Sequence, residues 1–306
     1  MVEQFLEKYK LTDPLVVAFS GGWDSMYLAD VLIKSGRKVI LAHLNHNWRG
    51  AESLKEEENC RKFAQERGVE FYCETSPDLA QTETAGREAR YEFLERAAKK
   101  FNSKAVLTAH NYDDNAETVL YRIIKGTGIK GLEGIPEQRG IFYRPLLGVT
   151  RVQIEEYCRA NGLKPNNDTS NNDTKYKRNL IRHKILPLLR EINPNVTDAL
   201  SSLSQVAGFE NQLIDEYLKT LDEPLKNFHV LSDALKSRLI YRIFAENNID
   251  CDRTRVNIIL NFIEENKQSK PAKTVSVTTG VWICAGVNGV KVISKHPSHV
   301  CAKIYV

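Results

Sequence analysis

Six consecutive residues, Ser20-Gly21-Gly22-Trp23-Asp24-Ser25, bring together the groups a polyphosphate needs. Two adjacent glycines let the backbone approach a ligand and supply positive φ where the chain turns. The Ser20 and Ser25 hydroxyls, with amides at the N-terminus of a following helix, make an anion site. Asp24 beside them would repel a phosphate unless a cation lies between, so the combination points to a phosphate–Mg²⁺ complex. No lysine follows the glycines, so this is not a G-x-x-x-x-G-K-[ST] loop, and it is not the dinucleotide fingerprint either. The bland alternative is a tight strand–helix turn with no ligand.

Further chemistry-bearing residues follow in order. Ala42-His43-Leu44-Asn45-His46-Asn47-Trp48-Arg49 carries two histidines in an H-x-x-H spacing, a weak metal signal. Arg87 and Arg90 stand i, i+3 on one helix face, able to meet a phosphate or carboxylate but equally common as solvated arginines. Thr108-Ala109-His110-Asn111-Tyr112-Asp113-Asp114-Asn115-Ala116-Glu117-Thr118 closes a strand and opens a helix. Asp113 and Glu117 are i, i+4 and Asp114 and Glu117 i, i+3, so these carboxylates can share a face. N-capping explains one of them, not all three. With Asp24, Asp114 and Glu117 are candidate Mg²⁺ ligands. From Lys175 to Arg190 there are six Lys/Arg and no Asp or Glu, a basic block whose bland reading is solvated helix surface.

The elements that must hold these groups alternate. Leu15 to Phe19 is a short apolar run ending in Ser-Gly-Gly, as a buried parallel strand should. Helical spacing follows from Met26 to Lys34, then a strand from Lys38 to Asn45 and a polar helix from Glu56 to Arg67. A third strand spans Glu70 to Glu74, and a helix of about Thr84 to Phe101 puts Tyr91, Leu94 and Ala98 on one face. Ala105 to Ala109 is the fourth strand and Asn115 to Lys125 the next helix. Strands alternating with helices give an α/β fold with a doubly wound parallel sheet.

After Leu147 the pattern changes. Thr150 is an N-cap for a helix through Ala160, closed by Asn161-Gly162. A polar loop covers Pro165 to Asp173. Helical periodicity resumes near Tyr176 and runs past Pro187 and Pro194 into Val196 to Leu221, with Leu200, Leu203, Val206 and Leu213 as its apolar stripe. Helices fit Ala234 to Asn247 and Arg253 to Asn266, and short turn-linked strands fit Val275 to Thr278, Val281 to Ala285 and Val290 to Ser294. The expected organisation is a catalytic domain over residues 1–205 and a smaller C-terminal helical α+β domain over 206–306.

Composition bounds the reading. The chain has 306 residues, 43 Lys+Arg against 39 Asp+Glu, and a net charge of +4; it is 42% hydrophobic and 27% charged. That excludes a disordered chain, a collagen-like repeat and a disulfide mini-protein. No apolar run approaches the roughly 18 residues of a membrane span, and Met1-Val2-Glu3-Gln4 does not open a secretory signal, so a cytoplasmic protein without a membrane partner is expected. Six scattered cysteines without a Cys-x-x-Cys pair read as reduced thiols.

Ser-Gly-Gly-x-Asp-Ser after the first strand resembles the pyrophosphate-binding loop of the N-type ATP pyrophosphatase, or PP-loop, family, of the adenine nucleotide alpha hydrolase-like fold. Its members cleave ATP between the α- and β-phosphates and adenylate an oxygen. Trp23 fills the variable position. The His43–Arg49, Arg87–Arg90 and His110–Thr118 segments are joined by Lys125-Gly126-Thr127-Gly128-Ile129-Lys130-Gly131-Leu132, Arg144-Pro145-Leu146-Leu147, Asp168-Thr169-Ser170-Asn171-Asn172-Asp173 and Tyr176-Lys177-Arg178-Asn179-Leu180-Ile181-Arg182-His183. In this order, over about residues 15 to 190, they are similar to the tRNA(Ile)-lysidine synthetase family. Asn167 stands where that family usually has an acid, and the chain is short beside many members.

The resemblance implies a ligase that joins free L-lysine to C2 of the wobble cytidine of tRNA(Ile) with a CAU anticodon. ATP is split to AMP and pyrophosphate through an adenylated cytidine, and decoding changes from AUG to AUA. It implies ATP on Ser20, Gly21, Gly22, Trp23, Asp24, Ser25 and Arg90, with Mg²⁺ on Asp24, Asp114 and Glu117. His110 is the candidate base for the lysine amine. His43, His46, Arg49, Arg87, Arg178 and Arg182 are candidate tRNA or ATP contacts, and a homodimer is compatible with it. The rival readings are a 2-thiocytidine-type tRNA thiolase of the same fold, which would need cysteine chemistry, and a non-catalytic nucleotide- or RNA-binding module.

Overall fold

Leu15, Val16 and Val17 are wholly buried, as a strand covered on both faces requires. The computed structural model describes residues 1–48, 50–76, 82–166, 177–247, 249, 252–293 and 304–305. The Asp168–Asp173 motif, Asn167, Tyr176, Arg49, Cys251 and Cys301 lie outside the described residues. The apolar run forms β1 (Leu15–Ala18), joined by β2 (Val39–Asn45), β3 (Glu70–Thr75), β4 (Val106–Leu107), β5 (Gln138–Arg139) and β6 (Phe142–Tyr143). They make one six-stranded sheet in the order β3-β2-β1-β4-β6-β5, with every neighbouring pair parallel except β5–β6. The chain builds outward from β1 to β3 and then returns to place β4 on the other side of β1. That reversal opens a crevice at the carboxyl ends of β1 and β4, the place where open α/β sheets bind ligands.

Alternation along the strands sorts the core into two layers. Leu15, Val17, Leu41 and Leu107 face α1 (Val2–Lys8), α2 (Trp23–Lys34), α3 (Ala51–Glu66) and α7 (Arg151–Ala160), through Leu6, Leu28, Leu32, Phe63, Ile154 and Cys158. Val16, Ile40 and Val106 face α4 (Glu83–Lys100), through Phe93, Leu94, Ala97 and Ala98. α5 (Tyr112–Lys125) and α6 (Ile129–Leu132) follow β4. Ala116, Val119 and Leu120 of α5 pack with Ile181, Leu186 and Leu200. Those three come from α8 (Lys177–Leu180) continuing through a π-helical turn (Ile181–Ile185) into α9 (Leu186–Ile192), and from α10 (Val196–Thr220).

The parallel α/β sheet, the expected helices and the Thr150 cap agree with the sequence. Thr150 accepts from Gln153 N and the Gln153 side chain returns the bond, a capping box. Three features differ. α3 begins at Ala51 rather than Glu56, and the two-residue strands β5 and β6 are too short to leave a periodic signal. The stripe expected on α10 is turned outward: Leu200 is buried, but Leu203, Val206 and Leu213 are 39%, 55% and 62% exposed. The inward face carries Ser201, Ser204, Ala207 and Asn211 instead. Ser204 holds it by donating to Glu133 O at 2.7 Å and accepting from Asn115 Nδ2 at 3.1 Å.

The chain divides at Gly208, within α10, into Met1–Gly208 and Phe209–Val306. The second unit has α11 (Asp233–Glu246), α12 (Arg253–Glu265), β7 (Lys273–Thr278), β8 (Val281–Gly286), β9 (Gly289–Ile293) and β10 (Ile304–Tyr305). Its sheet runs β10-β7-β8-β9, antiparallel through β7, β8 and β9, over a core that includes Phe228, Ile240, Phe244, Ile259 and Ile283. Among the described residues no helix is long and apolar enough to cross a membrane.

Candidate functional site

The glycine loop leaves β1 and enters α2 at the sheet's carboxyl edge. Gly21 has φ +76°, a conformation that favours glycine, and Gly22 is the N-cap of α2. Among the described residues no side chain caps that helix, so its leading amides are available to an anion. Ser20 Oγ and Ser25 Oγ stand 3.2 Å apart, Gly22 N–H donates to Ser20 Oγ at 3.3 Å, and Ser25 Oγ donates to Gly22 O at 3.1 Å. Trp23 is partly buried. Its ring packs against the core, the Arg159 guanidinium lies 5.5 Å from the ring centre, and Cys158 Sγ reaches its carbonyl.

Across the crevice, α5 starts on a capping box. Asn111 Oδ1 accepts from Asp114 N at 2.9 Å, and Asp114 Oδ2 accepts from Asn111 N at 3.2 Å. The same fully buried Asn111 donates Nδ2 to Asp24 Oδ1 at 2.8 Å, tying the glycine loop to the head of α5. Asp24 Oδ2 lies 3.6 Å from Arg151 Nη1. Burial first, and then the neighbouring Asp114 charge, push the Asp24 carboxyl above its ordinary pKa, against the pull of Arg151 and Asn111. Asp113 serves elsewhere, accepting from Arg151 N at 2.8 Å at the start of α7.

Two arginines stand where the sequence suggested a cation. Arg182 donates Nε to Glu117 Oε1 at 2.6 Å and Nη2 to both Glu117 Oε2 and Asp114 Oδ1 at 2.9 Å. Arg178 donates Nε to Glu117 Oε2 at 3.0 Å, and its Nη2 lies 2.9 Å from Asp114 Oδ1. Burial alone would raise the Asp114 carboxyl, but Arg178, His110 and Arg182 outweigh it and hold the pKa below the usual range. The π-helical turn meets α5 here, and Arg178 and Arg182, four residues apart, reach the same two acids. Among the described residues no group of three His, Cys, Asp or Glu side chains is arranged to hold a metal. Asp24, Asp114 and Glu117 are therefore neighbours but not a three-carboxylate cage.

His110 accompanies this cluster. Its Nδ1 lies 3.0 Å from Thr108 Oγ1, and burial pulls its pKa down to about 4, so the imidazole is neutral near pH 7. Among the described residues the other pair of histidines joins no group arranged to hold a metal. His43 Nδ1 is 2.9 Å from Phe19 O, and His46 stacks on Trp48 with ring centres 4.9 Å apart. Burial lowers both, His46 to about 4, and the Arg90 charge adds to each shift. Among the described residues, both ring nitrogens of His46 and Nε1 of Trp48 are buried without a hydrogen-bond partner. Gly86 makes room for the indole, since a Cβ there would meet Trp48 at 2.7 Å. The Arg87 guanidinium lies 5.2 Å from the Tyr91 ring centre.

Two polar residues of the site escape a motif search. Asn111 has a local signal, Asn-x-x-Asp at a helix start, which identifies a cap but not its second bond to Asp24. Arg151 has none, because nothing in the sequence relates the first turn of α7 to the glycine loop.

A sequence profile of the PP-loop domain matches residues 1–189. Curated relatives named tRNA(Ile)-lysidine synthase include one from Clostridium acetobutylicum, 35% identical, with 69% of this chain and 49% of the relative aligned. One from Clostridium perfringens is 32% identical over 88% of this chain and 62% of the relative. One from Nostoc sp. is 33% identical over 75% of this chain and 71% of the relative. The chain spans about half to two thirds of the length of the first of these relatives. In fold it is similar to the U34-tRNA thiolase NcsA of Methanococcus maripaludis, with a TM-score of 0.55 at 16% identity over 68% of this chain and 76% of that one. The glycine loop, its uncapped helix and these matches lead to one statement: the chain belongs to the PP-loop family, with the tRNA(Ile)-lysidine synthases.

Proposed function

We propose that the chain ligates free L-lysine to C2 of the wobble cytidine in tRNA(Ile) bearing CAU, producing lysidine, AMP and pyrophosphate. The observation that carries this reading is Asn111, which bonds Asp24 on one side and Asp114 on the other. One side chain thus links an anion-binding loop to an acid–arginine cluster with a neutral histidine, as a two-step ligation needs.

In the first step the cytosine C2 oxygen attacks the α-phosphorus of ATP and pyrophosphate leaves. Ser20, Gly21, Gly22 and Ser25 bind its β,γ-phosphates through hydroxyls and amides. Asp24 fits a Mg²⁺ site of the usual kind, one carboxylate completed by phosphate oxygens, and its raised pKa marks a charge that a cation would relieve. When bound, Mg²⁺ would offset charge on the pyrophosphate. Asp114 and Glu117 then serve better as partners for the lysine ammonium, shared with Arg178 and Arg182. In the second step the ε-amine attacks C2, and AMP departs with the former C2 oxygen. His110 or a neighbouring carboxylate takes the proton that the amine loses as it attacks. Arg90 pairs with a phosphate or the lysine carboxylate, and His43, His46, Arg49, Arg87, Arg178 and Arg182 are candidate nucleotide or tRNA contacts. The basic block makes the cytoplasmic pool of tRNA the natural partner.

The thiolase reading is weaker. Burial pushes the Cys60 and Cys73 thiols up to about 12 and Cys158 up to about 11, which leaves them poor nucleophiles. The test is transfer of radiolabelled lysine to a tRNA(Ile) transcript bearing CAU, with ATP and Mg²⁺ and with elongator tRNA(Met) as control. Label on the isoleucine tRNA alone is expected. AMP formation without label would move the reading to another second substrate, and no nucleotide turnover would favour the binding module.

A further inference from the structure

The glycine loop is held from outside by a residue that no motif singles out. Asn166 N–H donates to Gly21 O at 2.8 Å. In a trans peptide the carbonyl and the following amide point to opposite sides. Fixing Gly21 O therefore fixes Gly22 N–H, which is directed at Ser20 Oγ. Two glycines in succession resist rotation of the peptide between them least of all residue pairs, so a loop built on them needs an external hold to be preorganised.

The Asn166 side chain supplies that hold by anchoring its own backbone to α3. Asn59 Nδ2 donates to Asn166 Oδ1 at 2.9 Å, and Asn166 Nδ2 donates to Glu56 O at 3.3 Å and approaches Cys60 Sγ at 3.7 Å. The carboxamide also fills the space directly against the loop. A Cβ on Gly21 would fall inside contact distance of Asn166 Nδ2 and 2.7 Å from Cys60 Sγ. Donor, anchor and packing thus converge on one peptide.

We infer that Asn166 is a positioning residue for the pyrophosphate half of ATP: tied to α3, it holds the Gly21–Gly22 peptide, and with it the Gly22 N–H and the Ser20 hydroxyl that N–H meets, in the shape that receives the phosphates. This rests on the reading of the glycine loop as the ATP site. Asn166 itself touches the loop and not the ligand.

The experiment is calorimetric titration of the full chain and of Asn166→Ala with α,β-methylene-ATP, inorganic pyrophosphate and AMP. Affinity for the analogue and for pyrophosphate is expected to fall about tenfold, the size of one hydrogen bond to a charged group, while AMP changes by less than about twofold and the melting temperature holds. Asn59→Ala, which removes one anchor, should shift the same two ligands by less, and the double variant should be no worse than Asn166→Ala alone. Unchanged pyrophosphate affinity in Asn166→Ala would overturn the proposal, and so would AMP weakening in proportion, which indicates general loss of structure. Wild-type protein that binds neither the analogue nor pyrophosphate would overturn the ATP reading itself and this inference with it.

Discussion

In the glycine loop the helix N-terminus has no side-chain cap among the described residues, and neighbours such as Asn111 and Asn166 hold the loop in shape. At the head of α5 the arrangement is reversed: Asp114 and Glu117 find their partners inside the protein, in Arg178 and Arg182. The first region keeps its binding capacity open and borrows rigidity. The second is self-satisfied and admits a cationic ligand only by sharing or exchanging ion pairs. A polyphosphate needs donors waiting for it, whereas a single ammonium must compete, and competition sets selectivity.

The largest effect should come from breaking the satisfied region. The Glu117 side chain is only 3% exposed and accepts from both arginines. Glu117→Ala strands two cations against one remaining carboxylate, and breaking a buried pair costs about 3–5 kcal/mol. Urea unfolding near neutral pH measures it. A loss below about 1 kcal/mol would mean the cluster behaves as a surface pair.

The open region should respond less in stability and more in binding. Gly21→Ala forces a side chain into positive φ and against Asn166 and Cys60, at a cost of about 1–3 kcal/mol. The same variant should lose pyrophosphate binding, read by calorimetry; retained binding would show the loop tolerates distortion. Asp24→Asn should leave the fold at least as stable, because the folded state already disfavours the charged carboxylate. It should nevertheless abolish tRNA-dependent pyrophosphate release. Turnover at the wild-type rate would remove Asp24 from any cation role.

This contrast explains what the sequence makes legible. Ser20–Ser25 is readable because its chemistry is local: six adjacent residues between a strand and a helix define the donors. The acids of α5 are readable as a group, but their partners are not, since Arg178 and Arg182 reach them from another helix. Spacing alone therefore offers a cation, where the fold supplies guanidinium groups. The α10 stripe misleads for a related reason. Periodicity shows that a helix has an apolar side but not whether tertiary bonds, such as those of Ser204, turn the other side inward. Asn166 leaves no signal, because its role lies in what stands next to Gly21 in space.

His46 lies between the two regimes and gives the smallest, most specific test. Its ring is stacked on Trp48 like a core group, yet both nitrogens lack a partner among the described residues. Burial lowers its pKa from 6.5 to about 4, with the charges of Arg90 and His43 contributing. Between those values the unfolded chain binds the proton more readily than the folded one. Stability from this group is therefore complete above about pH 6.5 and is lost as pH falls toward about 4. His46→Phe keeps an aromatic ring against Trp48 and removes the titration. Its urea midpoint should fall less than the wild type's across that window, the remaining slope coming from His43 and His110, which shift the same way, and from carboxyls held low by their partners, such as Glu57, Glu74 and Glu137. Parallel midpoints in the two proteins would mean that His46 finds a hydrogen-bonding partner in solution, and that its loop belongs with the open, ligand-ready region of the molecule rather than with its packed interior.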